Sequence, residues 1–241
     1  MDNKVTRDLN MITDKKPIKD KLARILELTD RSIKYVFSDL TIMEKAPTAV
    51  FMKCNPSFAY FDIGFQPDDY TVFYYPYAAL TIYNLCICNP IMLEMIVDFI
   101  VFHELGHCLG GHILWLRTEN IDDHELLQRI AIEWEADEFA YKLLKQKYAD
   151  SENLFEALKI CFDCFEKHHE IDGDSSHPSR DERLWHAVHI ILPNNEELEA
   201  AYDNSRVSKI LSEIETLKPF LQNYRMVEAL RVNPGEKVYL W

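Results

Sequence analysis

His103, Glu104 and His107 fall in the run HELGH (103–107), and residues of these types at this spacing could hold a metal ion and use it. On a helix of 3.6 residues per turn, His103 and His107 leave one face a turn apart. Two imidazoles so placed can bind one tetrahedral zinc ion. Glu104 then sits beside the open coordination position, where a general base belongs. Bound zinc lowers the pKa of water from about 16 towards 7 and polarises a scissile carbonyl. A carboxylate at that place takes the water's proton and later delivers it to the leaving amine. The predicted chemistry is peptide-bond hydrolysis, and it requires a third ligand and groups that fix the two rings.

The run EWEAD (133–137) offers both. Glu133 and Asp137 are four apart and share a helix face, whereas Glu135 lies roughly 200° round from Glu133 and cannot join them. Glu133 is therefore expected as the third ligand. Asp137 is expected as an acceptor for the free ring N–H of His103, because metal-binding histidines need such a partner. His112 follows His107 by five residues and is expected to point away from the ligands, as a helix-end or surface group. His124, His168, His169, His186 and His189 have no ligand spacing to the site and read as structural or solvent-facing. Cys161 and Cys164 lack the second ligand pair of a zinc ribbon and read as packing on an amphipathic helix. Tyr70, Tyr74, Tyr75 and Tyr77 read as aromatic sheet packing.

The elements that must position these groups follow from pattern. A helix is predicted from Ile18 to about Leu40, with Leu22, Ile25, Leu26, Ile33, Val36 and Phe37 as its buried stripe. Between Ala49 and Asn89 the segments AVFM, FAYFDIGF, YTVFYY and LTIYNLCI are aromatic and β-branched, and prolines break them. They predict a small, antiparallel sheet of three or four strands. Pro90 opens the helix carrying HELGH, and Gly110-Gly111 ends or bends it. Asp122 and Glu125 form a capping box for a helix reaching about Tyr148. Further helices run from Ser151 to about His169, from Pro178 to before Pro193, and from Asn194 or Asn195 to about Leu217. The tail after Pro234 and Gly235 reads as an edge strand. One domain over 1–241 is expected, with 1–17 a loose leader and 194–241 a helical extension.

Composition bounds the class. With 48% apolar and 27% charged residues the chain reads as an ordinary globular protein. A net charge of −14 argues against a nucleic-acid binder. No Lys or Arg occurs from Cys54 to Leu116. That stretch is either buried core or a negative field favouring a cation and basic substrates. The apolar run Ile91–Leu116 carries Glu94, Asp98, His103, Glu104 and His107, a set too costly for lipid, so no membrane span is read there. The polar N-terminus lacks an export signal, and six cysteines in mostly apolar runs fit free thiols in a reducing, cytoplasmic compartment.

HELGH, then EWEADEFA, then HPSRDER, resembles the zinc peptidases of the CAAX-prenyl endopeptidase and HtpX group. Their pattern is HExxH, Glu-x-x-Ala-Asp, and His-Pro with an Arg six residues after the His. Here these are His103 to His107, Glu133 to Asp137, and His177-Pro178 with Arg183, within roughly Met92 to Trp185. The resemblance implies an α+β, zincin-like fold, mostly helical, with a small antiparallel or mixed sheet preceding the HExxH helix. It implies zinc held by His103, His107 and Glu133, Glu104 as general base and Asp137 behind the ligands. It also implies His177 and Arg183 near the cleft as transition-state or ligand-orienting groups. His177 is the first choice as a donor to the oxyanion, and its alternative is a cap at a helix start with Pro178 at N1. A sheet edge holding the substrate as an added strand is expected at Leu80–Ile87, with a plain core strand as the alternative. Members of that group usually carry membrane spans or an export signal and neither is visible here, so a prenyl-peptide substrate is not expected to carry over. The pattern is also similar to the small Lit-type phage-exclusion peptidases, which cleave a host protein inside the cell. The expected function is a soluble zinc metalloendopeptidase acting on a protein or peptide. The alternative is a non-catalytic or latent binding module on the same scaffold.

Overall fold

The computed structural model describes residues 16–37, 48–51, 63–66, 71–110, 112, 125–148, 151–169 and 177–192. Most of the leader, the Asp122 cap, the helix after Asn194 and the terminal strand lie outside these residues.

Helix α1 spans Lys16–Phe37. Leu22, Ile25, Leu28, Thr29, Ser32, Ile33 and Val36 are buried along it, three or four apart, so one face turns inward. Three short strands follow: β1 (Thr48–Phe51), β2 (Ile63–Gln66) and β3 (Thr71–Tyr74). Their order is β1-β3-β2, with β1 parallel and β2 antiparallel to β3, so the sheet is mixed. Buried Tyr74 meets Thr29 of α1 through a 2.8 Å hydroxyl–hydroxyl hydrogen bond, which pins sheet to helix.

The strand expected at Leu80–Ile87 is not one. Pro76–Leu85 form helix α2, and Cys86–Cys88 form a turn. Pro76 sits in the first turn, where its missing N–H costs nothing, and Ala78, Ala79 and Ile82 bury one helical face. Aromatic and β-branched content misled here, because a buried helix has the same composition as a core strand. The expected substrate-binding edge at Leu80–Ile87 falls with it.

Helix α3 (Pro90–Leu109) begins as the proline predicts. The Asn89 side chain accepts from the Met92 N–H at 3.1 Å and caps the turn. It runs through the centre, with α1, α4 (Glu125–Lys147) and α5 (Ser151–His169) around it and β2 against it. Phe99, Ile100, Val101, Phe102 and Leu105 are almost wholly buried, each side chain contributing about 1.5–3 kcal/mol where large. The lysine-free stretch is thus core along α3. Buried Asp98 takes hydrogen bonds from Ser32 of α1, from Lys147 at 2.6 Å and from Tyr148, tying three segments together. Helix α6 (Arg180–Ile191) packs on α4 and α5. Among the described residues no helix is long and apolar enough to cross a membrane.

Candidate metal centre

Helices α3 and α4 cross where Gly106 meets Ala136. A Cβ on Gly106 would lie 2.9 Å from the Ala136 Cα, so only glycine permits this approach. The crossing sets EWEAD against HELGH. His103 Nε2 and His107 Nε2 lie 3.0 Å apart, and Glu133 offers Oε2 3.4 Å from the first and Oε1 3.4 Å from the second. Donor atoms bound to one tetrahedral zinc at about 2.0 Å are separated by about 3.3 Å, which these three distances approach. His103, His107 and Glu133 form the one group of three potential metal ligands among the described residues.

The donor chemistry tests the fit. Asp137 Oδ1 is 2.8 Å from His103 Nδ1, off the ideal line of the ring N–H but within charge-assisted reach. A His103 that keeps its proton on Nδ1 for Asp137 turns a lone pair at Nε2 towards His107. Two imidazole lone pairs and a carboxylate converging over such distances repel unless a cation lies among them. The residues therefore fit a divalent metal. A proton can take that place: burial opposes charging His103, but Asp137 and Glu133 outweigh it and push its pKa up to about 10. Burial lowers that of His107. Burial would raise Glu133, yet the two histidines hold it well below the usual carboxylate range.

Arg183, from α6, closes the carboxylate side. Its Nη2 lies 3.0 Å from Glu133 Oε2 and its Nε 3.3 Å from Asp137 Oδ2. The guanidinium lies over the Phe162 ring, and Tyr141 donates to the Arg183 carbonyl at 3.1 Å. Burial works against its charge, but Asp137 and Glu133 raise its pKa above the ordinary value.

His177 Nε2 stands 3.6 Å from Glu133 Oε1 with its side chain 46% exposed. It is not the helix cap. Ser179 caps α6 in a capping box, its Oγ accepting from the Glu182 N–H while the Glu182 carboxylate accepts from the Ser179 N–H. Pro178 therefore precedes the cap and is not at N1. Burial lowers the His177 pKa. Glu104 is half-buried on α3; burial raises the Tyr74 pKa, and the Glu104 charge adds to that rise.

His112 departs from expectation. It is buried, not at the surface, and its Nδ1 lies 3.1 Å from His107 Nδ1. Its Nε2 lies 3.1 Å from Glu135 Oε2. The helical spacing of α3 does not apply to it, because α3 ends at Leu109 with Gly110 as its cap. The glycine pair was the available signal. Burial lowers the His112 pKa. His186 is buried between the Trp134 and Tyr141 rings and His189 is exposed, consistent with structural and solvent-facing readings. Cys161 and Cys164 are buried in the core. The remaining histidine side chains at 124, 168 and 169, and Tyr70, lie outside what is described.

A family model described as Peptidase U49, the Lit-like peptidases, matches residues 83–203. The match takes in α3, α4, α5 and α6 and all seven expected site residues. No curated protein and no solved structure matches the chain.

Proposed function

The chain belongs to the Peptidase U49 family, and from that membership we propose that it is a soluble, cytoplasmic, zinc-dependent endopeptidase acting on a protein substrate. The observation that carries the reading is the convergence of His103 Nε2, His107 Nε2 and both Glu133 oxygens within 3.0 to 3.4 Å. His103, His107 and Glu133 would hold the ion. Zinc bound there supplies a water of lowered pKa and a Lewis acid for the scissile carbonyl.

The other steps belong to side chains. Glu104, next to His103 on α3, accepts the proton of the attacking water and returns it to the departing amine. Asp137 holds the His103 ring so that Nε2 keeps its lone pair. Arg183 is buried and committed to Glu133 and Asp137, which suits it to orienting the ligand carboxylate and not to touching substrate. His177 is half exposed beside Glu133 and suits a donor to the developing oxyanion, an interaction worth about 3 kcal/mol.

Comparison of protein N-termini in cells expressing wild type or Glu104→Gln tests the reading. New N-termini should appear with wild type alone, while the purified variant keeps its metal. Equal cleavage by the variant would overturn the role of Glu104. No cleavage by either, with a stable partner bound, would favour a binding module.

A further inference from the structure

Glu104 of HELGH and both Glu133 and Asp137 of EWEAD have an explained place in the site, yet Glu135 and the histidine beyond the glycine pair are left over. The two meet each other. Glu135 is a carboxylate and can only accept, so the 3.1 Å contact with His112 Nε2 puts a proton on that nitrogen. A neutral His112 bonded in this way presents a lone pair at Nδ1. That lone pair faces His107 Nδ1 at 3.1 Å and can accept only if His107 carries its proton there. His107 Nε2 is then left unprotonated, facing His103 Nε2 and Glu133 Oε1.

We propose that His112 and Glu135 are positioning residues that fix the tautomer and aim of His107 through the chain Glu135, His112, His107. The proposal rests on the metal-site reading above and deepens it. Both ligand histidines are then backed by a carboxylate from α4, His103 directly by Asp137 and His107 through the His112 ring. The roughly 200° between Glu133 and Glu135, which keeps Glu135 from the ligand face, is what lets it reach round to His112.

Two further features suit this role. His112 is buried at 4% exposure, so its ring is held and not loosely placed. It also packs on Gly110, where a Cβ would fall 2.4 Å from His112 Nε2. A side chain at residue 110 would occupy the seat of the ring. Gly110 thus both ends α3 and makes room for the His112 ring.

The test uses the full chain with His112→Ala, Glu135→Leu and Glu135→Gln, read in two ways. Nitrogen-15 NMR of the histidine rings, on metal-free protein, reports the His107 tautomer. Competition with a chelator reports zinc affinity. Wild type should show His107 protonated on Nδ1. His112→Ala should release it to the other tautomer and weaken zinc binding by about 10–100-fold, the usual cost of losing a partner behind a metal ligand. Glu135→Leu, on a partly exposed position that tolerates leucine, should shift both readouts in the same direction. Glu135→Gln retains an acceptor oxygen and should restore both towards wild type. A general packing role would not separate leucine from glutamine in this way. The proposal is overturned if wild-type His107 carries its proton on Nε2, or if Glu135→Leu matches wild type in both measurements. A wild-type chain with the expected tautomer and no zinc affinity would instead refute the metal-site reading while leaving the relay in place.

Discussion

Arg183 Nη2 lies 3.0 Å from Glu133 Oε2, the same oxygen that faces His103 Nε2 at 3.4 Å. One guanidinium so fixes the carboxylate that completes the histidine pair, and its Nε reaches Asp137 as well. Arg183→Ala takes from buried Asp137 and from Glu133 the guanidinium they share, leaving the His103 ring as their remaining shared partner, and should destabilise the metal-free chain by about 3–5 kcal/mol. Arg183→Lys keeps the charge but not the fork that spans two carboxylates, and should recover only part of the loss. Denaturant midpoints check both. Equal stability of Arg183→Ala and wild type would contradict the clamp.

The crossing of α3 and α4 makes a second prediction. Alanine at Gly106 would gain about 1 kcal/mol in helix propensity. Its Cβ, however, would press on Ala136 backbone at 2.9 Å, which no side-chain rotation relieves. Overpacking of this kind costs about 1–3 kcal/mol. Gly106→Val should therefore lower the melting temperature by several degrees and weaken zinc binding, with Gly106→Ala milder in both. Zinc titration and thermal melting measure the pair of effects. Unchanged zinc affinity in Gly106→Val would show that this contact does not set the ligand geometry.

Thiol reactivity gives a pH-dependent test. Burial pushes the Cys108 pKa up to about 12 and the Cys86 and Cys164 values up to about 11, while Cys88 is exposed. The thiolate is the reactive form, so a raised pKa leaves these thiols protonated at neutral pH. Among the described cysteines of native protein at pH 7.5, Cys88 should alkylate first and Cys108 should resist. The Cys108 rate should climb about tenfold per pH unit towards pH 11 if the fold persists. Peptide mapping after timed alkylation follows each site. Rapid Cys108 labelling at pH 7.5 would contradict its burial.

Local rules made much of this legible. Pro90 announced the start of α3, and Ser151 the start of α5, because signals in the first turn act over a few residues. The four-residue spacings of His103 with His107 and of Glu133 with Asp137 put each pair on a face before any packing was known. What escaped reading depended on tertiary context. Leu80–Ile87 carries strand-like side chains, yet Pro76 starts a helix that buries them just as well. His112 was misplaced by extending helical geometry past Gly110, where the helix stops. Arg183 could be matched to a pattern, but its grip on both Glu133 and Asp137 needs α6 folded back over α4.

The central claim is that His103, His107 and Glu133 hold one zinc ion, and the metal content of the purified full chain tests it most directly. Elemental analysis of wild type should give about one zinc per chain, as a three-ligand catalytic site requires. His103→Ala and Glu133→Ala, shown to be folded by circular dichroism, should each lose it. A metal-free wild type that also fails to take up added zinc, or variants that keep a full equivalent, would contradict the account.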